Sequence, residues 1–159
     1  MTSEIVVRDA RDDEAKFVME MTRHMVLEME HYGGRVPAAS VSAWDNMTIA
    51  IANEVKEDSI RYLIAETVNR DRIGVAGAGI VTLAGALEPK KAIHLSVLYV
   101  LPGFRRAGVG AELLSRALDW GRSRGSEYCT LTVLRENPAV SIYKKHGFCE
   151  TSINMSKLL

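Results

Sequence analysis

The stretch Leu98-Tyr-Val-Leu-Pro-Gly-Phe-Arg-Arg-Ala-Gly-Val-Gly110 decides how the rest of this 159-residue chain is read. It runs as the end of a strand, a turn, and the start of a helix. The first N–H groups of a helix have no partner inside it and attract anions. Glycines allow phosphate oxygens to approach the backbone closely, and Arg105 and Arg106 add positive charge beside them. The physical expectation is a phosphate or pyrophosphate site. A P-loop would place Lys and Ser/Thr after the last glycine, where Ala111 and Glu112 stand. A dinucleotide fingerprint would want a small residue in place of Leu113, and a first parallel strand before the turn. Taken alone, the stretch also reads as a plain strand-to-helix turn with solvated arginines.

Working outward, Ala92–Leu101 reads as a strand stopped by Pro102–Gly103. Before it, Arg61–Val68 and Ile73–Leu83 form a hairpin around the polar turn Asn69–Arg72. Glycines 74, 77 and 79 mark a bulge or close backbone approach in that hairpin. The segment Ala84–Lys91 then connects to the next strand. Glu4–Arg8 is a short first strand. The acidic run Asp12-Asp13-Glu14 opens a helix, as suits the positive end of a helix dipole. Ala15, Val18, Met19, Thr22, Met25, Val26 and Met29 carry that helix at helical spacing to about Tyr32, before Gly33–Gly34. A second helix starts near Ser40 or Ser42, with Trp44, Met47, Ile51 and Val55 as its apolar face.

After the glycine turn, Gly108–Arg124 is an amphipathic helix lined by Leu113, Leu114, Ala117, Leu118 and Gly121, capped by Gly125. Glu127–Leu134 is a strand. Asn137 and Pro138 mark a helix start, as N-cap and first residue, and Gly147 stops that helix. Phe148–Leu158 is a final extended segment. The order is β-α-α-β-β-β-α-β-α-β, one α/β (α+β) domain over residues 1–159. A single mixed, mostly antiparallel sheet with helices on both faces is expected.

Twenty Lys and Arg balance twenty Asp and Glu. Neutrality gives no support for extended nucleic-acid binding, which needs a basic face, and leaves room only for local patches. No apolar run is long enough to span a bilayer, and Met1–Asp9 has no signal-peptide core. Cys129 and Cys149 lack metal-ligand spacing and read as free buried thiols of a cytoplasmic protein, with no metal expected.

Arg105-x-x-Gly108-x-Gly110 resembles the Q/R-x-x-G-x-G/A signature of the GNAT N-acetyltransferase family. The same register carries Leu98-Tyr99-Val100-x-Pro102 upstream. Downstream, Asn137-Pro-Ala-x-x-x-Tyr143-x-x-x-Gly147-Phe148 is similar to the family's second conserved stretch. Val7-Arg8-x-Ala10 with Asp13 and the Met155-x-Lys157 ending extend the likeness over nearly the whole chain.

This resemblance implies the fold of that family and acetyl-CoA as co-substrate, with a small-molecule or peptide amine as acceptor. A bulge in the strand ending at Val100 would splay it from Glu127–Leu134. The pantetheine arm would pair with backbone around Leu98, Tyr99 and Val100. The pyrophosphate would rest on the turn formed by Arg105, Arg106, Ala107, Gly108, Val109, Gly110 and Ala111, with Asn137 close by. Tyr143 falls at the family's general-acid position, where a phenol of pKa about 10 donates to the leaving thiolate. Packing a small helix against the sheet is its other role.

His94 lies four residues before Leu98, which a regular strand puts on the same face. It meets the position where some histone-type members carry a Glu base. It is read either as general base, with Ser96 holding a water, or as a polar strand residue beside a water chain. On the acceptor side, Glu20, His24, Glu28, Glu30, His31 and Tyr32 read as a wall for a cationic amine or as a solvated helix face. Met19, Met21, Met25 and Met29 are core. Gly33–Gly34 is a candidate lid. Two other readings fit the same fold: a toxin-type acetyltransferase of aminoacyl-tRNA, and a non-catalytic acyl-CoA-binding regulator. Exposed strands near the C-terminus make a homodimer an option.

Overall fold

The computed structural model describes residues 4–33, 41–84, 88–155 and 157. Five strands form one sheet in the order β1-β2-β3-β4-β5. They are β1 (Ile5–Asp9), β2 (Ile60–Thr67), β3 (Arg72–Leu83), β4 (Lys90–Val100) and β5 (Tyr128–Leu131). The first four pair antiparallel, and β4 pairs parallel with β5. A parallel pair needs a crossover, and helix α3 (Val109–Ser123) supplies it. Helices α1 (Ala15–Glu28) and α2 (Val41–Glu54) cover the opposite face. Helix α4 (Val140–Lys145) joins the α3 side through Tyr143.

Two apolar layers result. On one side, Val109, Leu113, Leu114, Ala117 and Trp120 of α3 pack on Leu63, Ala76, Ile93 and Leu95. Gly121 allows this fit: a Cβ there would lie 2.8 Å from Ile93 Cδ1. On the other side, Val18, Met19 and Met21 of α1 and Ile51 of α2 pack on Tyr62, Val75, Val97 and Tyr99. Trp44 and Val55 join them, but Met47 is exposed, so the apolar face of α2 is narrower than its sequence suggests.

Glu14 opens α1 in a different way from a dipole partner. Its carboxylate is buried and accepts from Arg8 Nη1 (2.7 Å), Arg8 Nη2 (2.9 Å) and the Arg11 backbone N–H (2.9 Å). Arg8 also donates to Glu66, so the network ties β1, the start of α1 and β2 together. The Arg8 hydrogen bonds hold the Glu14 carboxyl down at about 2.

Four sequence expectations change. Strand β5 ends at Leu131 rather than Leu134. Helix α4 starts at Val140, because Asn137 and Pro138 form a turn in which Asn137 Oδ1 accepts the Ala139 N–H at 2.9 Å. The final segment forms no strand among its described residues, and Ile153 and Met155 are exposed. A strand needs a ladder partner for its backbone, and β5, only Tyr128–Leu131, pairs with β4 alone among the described residues. Cys129 is half-buried, but Cys149 is exposed rather than buried; both are free. Gly34 and residues 85–87, within the expected lid and connector, lie outside the described residues.

Candidate active site

The site begins with a bulge. β4 pairs Val97 with Gly77 and Leu95 with Ala78, which leaves Ser96 without a cross-strand partner. Pairing with β5 stops at the same place, with Leu95 opposite Leu131. From Ser96 to Val100, β4 is therefore open on the β5 side. The Leu101 N–H donates to Ile73 O at 2.9 Å. By antiparallel alternation, Tyr99 and Val97 also face β3, and Leu98 and Val100 turn their N–H and C=O to the open edge. The bulge that the resemblance implies in the strand ending at Val100 is present, at Ser96.

The open edge leads into the glycine turn. From Arg106 to Ala111, no backbone N–H has an acceptor among the described residues. Two left-handed residues, Arg106 (φ 64) and Gly108 (φ 83), shape the turn, and Gly108 caps α3 without any side-chain bond. This is an amide nest at a helix N-terminus, the arrangement that binds phosphate. A side chain on Gly108 would be strained by its φ; one on Gly110 would meet only ordinary contacts, 3.7 Å from Ile142 Cδ1 and 3.8 Å from Val100 Cγ2. Gly110, Val100 and α4 thus meet at the mouth of the gap.

Arg105 points elsewhere than the phosphate reading suggests. Its Nε–H donates to Val100 O (2.9 Å), and Nη1 and Nη2 donate to the two oxygens of Glu28 (2.6 and 2.7 Å). Its guanidinium also lies 5.2 Å from the Tyr99 ring centroid. Glu28 is consequently held low, at about 2, chiefly by Arg105. Arg106 remains exposed beside the amides.

Tyr143 is buried, and no hydrogen bond to its hydroxyl occurs among the described residues. Burial, with a smaller push from Cys129, raises its pKa to about 12. The end of α4 sets its place. Gly147 (φ 85) closes the helix, the Phe148 N–H returns to Tyr143 O (3.1 Å), and the Phe148 ring meets Tyr143 edge-on at 5.7 Å. Burial likewise pushes the neighbouring Cys129 thiol up to about 11.

His94 pairs across the sheet with Gly79, while Leu95 pairs with Ala78 of the α3-side core. It therefore shares the α1–α2 face with Val97 and Tyr99. The extra residue at Ser96 reverses the alternation, so Leu98 is on the opposite face from His94, not the same one. His94 Nδ1 lies 3.0 Å from Thr130 Oγ1. Ser96 does not attend to His94; its hydroxyl donates to Gly77 O at 3.2 Å. Tyr143 and His94 consequently lie on opposite faces of the sheet.

Comparison with known proteins agrees with this geometry. Residues 23–148 match the Acetyltransferase (GNAT) family. The chain belongs to that family. It is 27% identical over 100 residues to an uncharacterized N-acetyltransferase of Methanocaldococcus jannaschii, covering 62% of this chain and 43% of that one. It is 32% identical over 91 residues to an aminoglycoside N(6')-acetyltransferase type 1 of Klebsiella aerogenes, covering 57% of this chain and 60% of that one. The matches thus span less than two thirds of either relative. Its fold superposes on a predicted acetyltransferase of Clostridium acetobutylicum, solved with acetyl-CoA, with a TM-score of 0.79 over 98% of this chain and 96% of that one, at 16% identity.

Within this GNAT domain the acceptor side is less acidic than its sequence suggests. Glu28 is committed to Arg105, and Tyr32 donates to Glu28 Oε1 at 3.0 Å. Glu20, His24, Glu30 and His31 are exposed on α1 and the 3-10 turn after it. Two residues gain importance that the sequence did not single out. Thr130 holds His94. Tyr62 lies over Gly77, where a Cβ would sit 2.5 Å from Tyr62 Cε1, and donates to Glu54 at 2.5 Å. Glycine within a strand was the only local signal for the second. No helix among the described residues is long and apolar enough to cross a membrane.

Proposed function

We propose that this protein transfers the acetyl group of acetyl-CoA to a primary amine of a small molecule. The observation that carries the reading is the continuity of the open β4 edge, Leu98 to Val100, with the amide nest Arg106–Ala111. One offers peptide-like pairing to an extended arm and the other offers N–H groups to a pyrophosphate, in the order coenzyme A presents them. These residues fit the group. Bound there, acetyl-CoA supplies an activated thioester carbonyl.

The chain's own groups then do three things. Leu98 and Val100 N–H groups lie on the edge where an oxyanion needs a donor. Tyr143 keeps its proton through the physiological range, because its pKa stands near 12. Proton transfer to a free thiolate of pKa about 8.5 would be uphill. Burial also pushes the neighbouring Cys129 thiol up, and the same desolvation would favour a leaving sulfur taking the proton of Tyr143. On the other face, His94 Nδ1 lies 3.0 Å from Thr130 Oγ1, and in the tautomer that donates this bond Nε2 is the nitrogen to take the amine's proton. Acid and base then act from opposite sides of one gap. Likeness to the aminoglycoside enzyme supports a small polyamine-like acceptor.

The test is thiol release from acetyl-CoA across aminoglycosides, polyamines, simple amines and peptides. Turnover with a small-molecule amine is expected, and its rise with pH is expected to disappear in His94→Ala. Acetyl-CoA binding without turnover on any of them would overturn the catalytic reading. A pH profile unchanged in His94→Ala would hand the proton to water instead.

A further inference from the structure

Arg105 and Glu28 stand 77 residues apart, yet they form the most completely satisfied ion pair near the gap. Each guanidinium end nitrogen meets one carboxylate oxygen, the fork-to-fork geometry that fixes orientation as well as charge. Glu28 also accepts from the Tyr32 hydroxyl. Glu28 is on the last turn of α1, the helix expected to wall the acceptor. Arg105 is the first residue of the glycine turn. Between them, the Arg105 Nε–H covers the carbonyl of Val100, which faces the open edge.

We propose that Glu28 is a positioning residue for the donor site: by holding both end nitrogens of Arg105, it keeps the Arg105 Nε–H on the Val100 carbonyl and the glycine turn seated against the end of β4. This rests on the acetyl-CoA reading and deepens it. It has two consequences. The Val100 carbonyl already accepts one hydrogen bond, so Leu98 O is the freer acceptor on this stretch, with the Leu98 and Val100 N–H groups as donors. The positive charge facing a pyrophosphate comes from the amide nest and Arg106, not from Arg105.

Calorimetric titration with coenzyme A tests this on the wild type, Glu28→Gln, Arg105→Gln and the double variant, with a thermal melt of each. Without the carboxylate, the guanidinium is expected to leave Val100 for water, weakening coenzyme A binding about tenfold. A neutral glutamine at 105 can donate to Val100 O and needs no carboxylate. The double variant should therefore bind within about threefold of wild type, better than Glu28→Gln alone. KM for acetyl-CoA should rise in Glu28→Gln, while KM for the acceptor holds. Glu28→Gln binding coenzyme A as wild type does would overturn the proposal. So would a double variant no better than Glu28→Gln; and because neutralising a stranded Arg105 also relieves a purely structural pair, binding is measured well below each melting temperature, where an affinity loss that vanishes likewise overturns the proposal. A wild type that binds no coenzyme A would instead sink the donor reading itself, and this proposal with it.

Discussion

The sheet has a closed half and an open half. From β1 to β3 every strand is paired along most of its length, with one register shift between Ala65 and Glu66, and at the edge Arg8, Glu14 and Glu66 lock three segments together. Beyond Leu95, β4 and β5 part, and the polar groups of that edge have no partner strand. The same chemistry is treated in opposite ways. In the closed half, a buried carboxylate is saturated by arginine and backbone donors. In the open half, a row of backbone N–H groups is left unsatisfied at a helix start. The first half supplies rigidity, and the second spends it on a binding edge.

The largest effect should come from breaking the closed half. Glu14→Gln removes one partner of a buried charged network, which costs about 3–5 kcal/mol. Acid should do the same. The folded carboxyl is held near 2, against an ordinary value of 4.5. The contribution is therefore complete above pH 4.5 and is lost as pH falls toward 2, by about 3 kcal/mol. Urea melts of wild type and variant at pH 7 and pH 3 check both statements: the variant should be weaker at pH 7, and the difference should shrink at pH 3. Below its melting temperature, the variant should bind coenzyme A as wild type does.

The next effect separates chemistry from scaffold in the open half. Tyr143→Phe removes only a hydroxyl that makes no hydrogen bond among the described residues, so the melting temperature should hold or rise slightly. Loss of a general acid is expected to lower kcat about a hundredfold. Affinity for coenzyme A, measured by titration, should barely move. Unchanged turnover at saturating substrate would return Tyr143 to a packing role beside Phe148.

Local pattern was enough for the glycine turn, the amphipathic face of α3 and the Gly147 stop, because each depends on neighbours within a turn or two. What local pattern misses is set by distant partners. A bulge at Ser96 depends on the registers with Gly77 and Ala78, and one extra residue reverses which face His94 shares with Leu98. Arg105 beside phosphate glycines looks like a phosphate ligand until Glu28, on another helix, is seen to claim it. Met47 has helical spacing but lies beyond the reach of the sheet. The final segment is apolar enough for a strand, but strand formation is a property of pairs.

Two glycines sharpen the comparison to its smallest effect. Gly77 belongs to packing: a Cβ there would lie 2.5 Å from Tyr62 Cε1 and 2.8 Å from Val97 Cγ1. Gly110 is not required by packing, since a Cβ there meets nothing closer than 3.7 Å, and the proposed donor site is what would explain it. Gly110→Ala therefore has no packing penalty, and it gains helix propensity in the first turn of α3, up to about 1 kcal/mol in a helix interior and less at its end. The added methyl instead stands between the Ile142 and Val100 side chains at the mouth of the gap, beside the amide nest. The expected result is a melting temperature equal to or above that of wild type, with coenzyme A binding weakened a few-fold by calorimetry. A stabilised variant with undiminished affinity would show that the nest, and with it the open half's role, does not extend to Gly110.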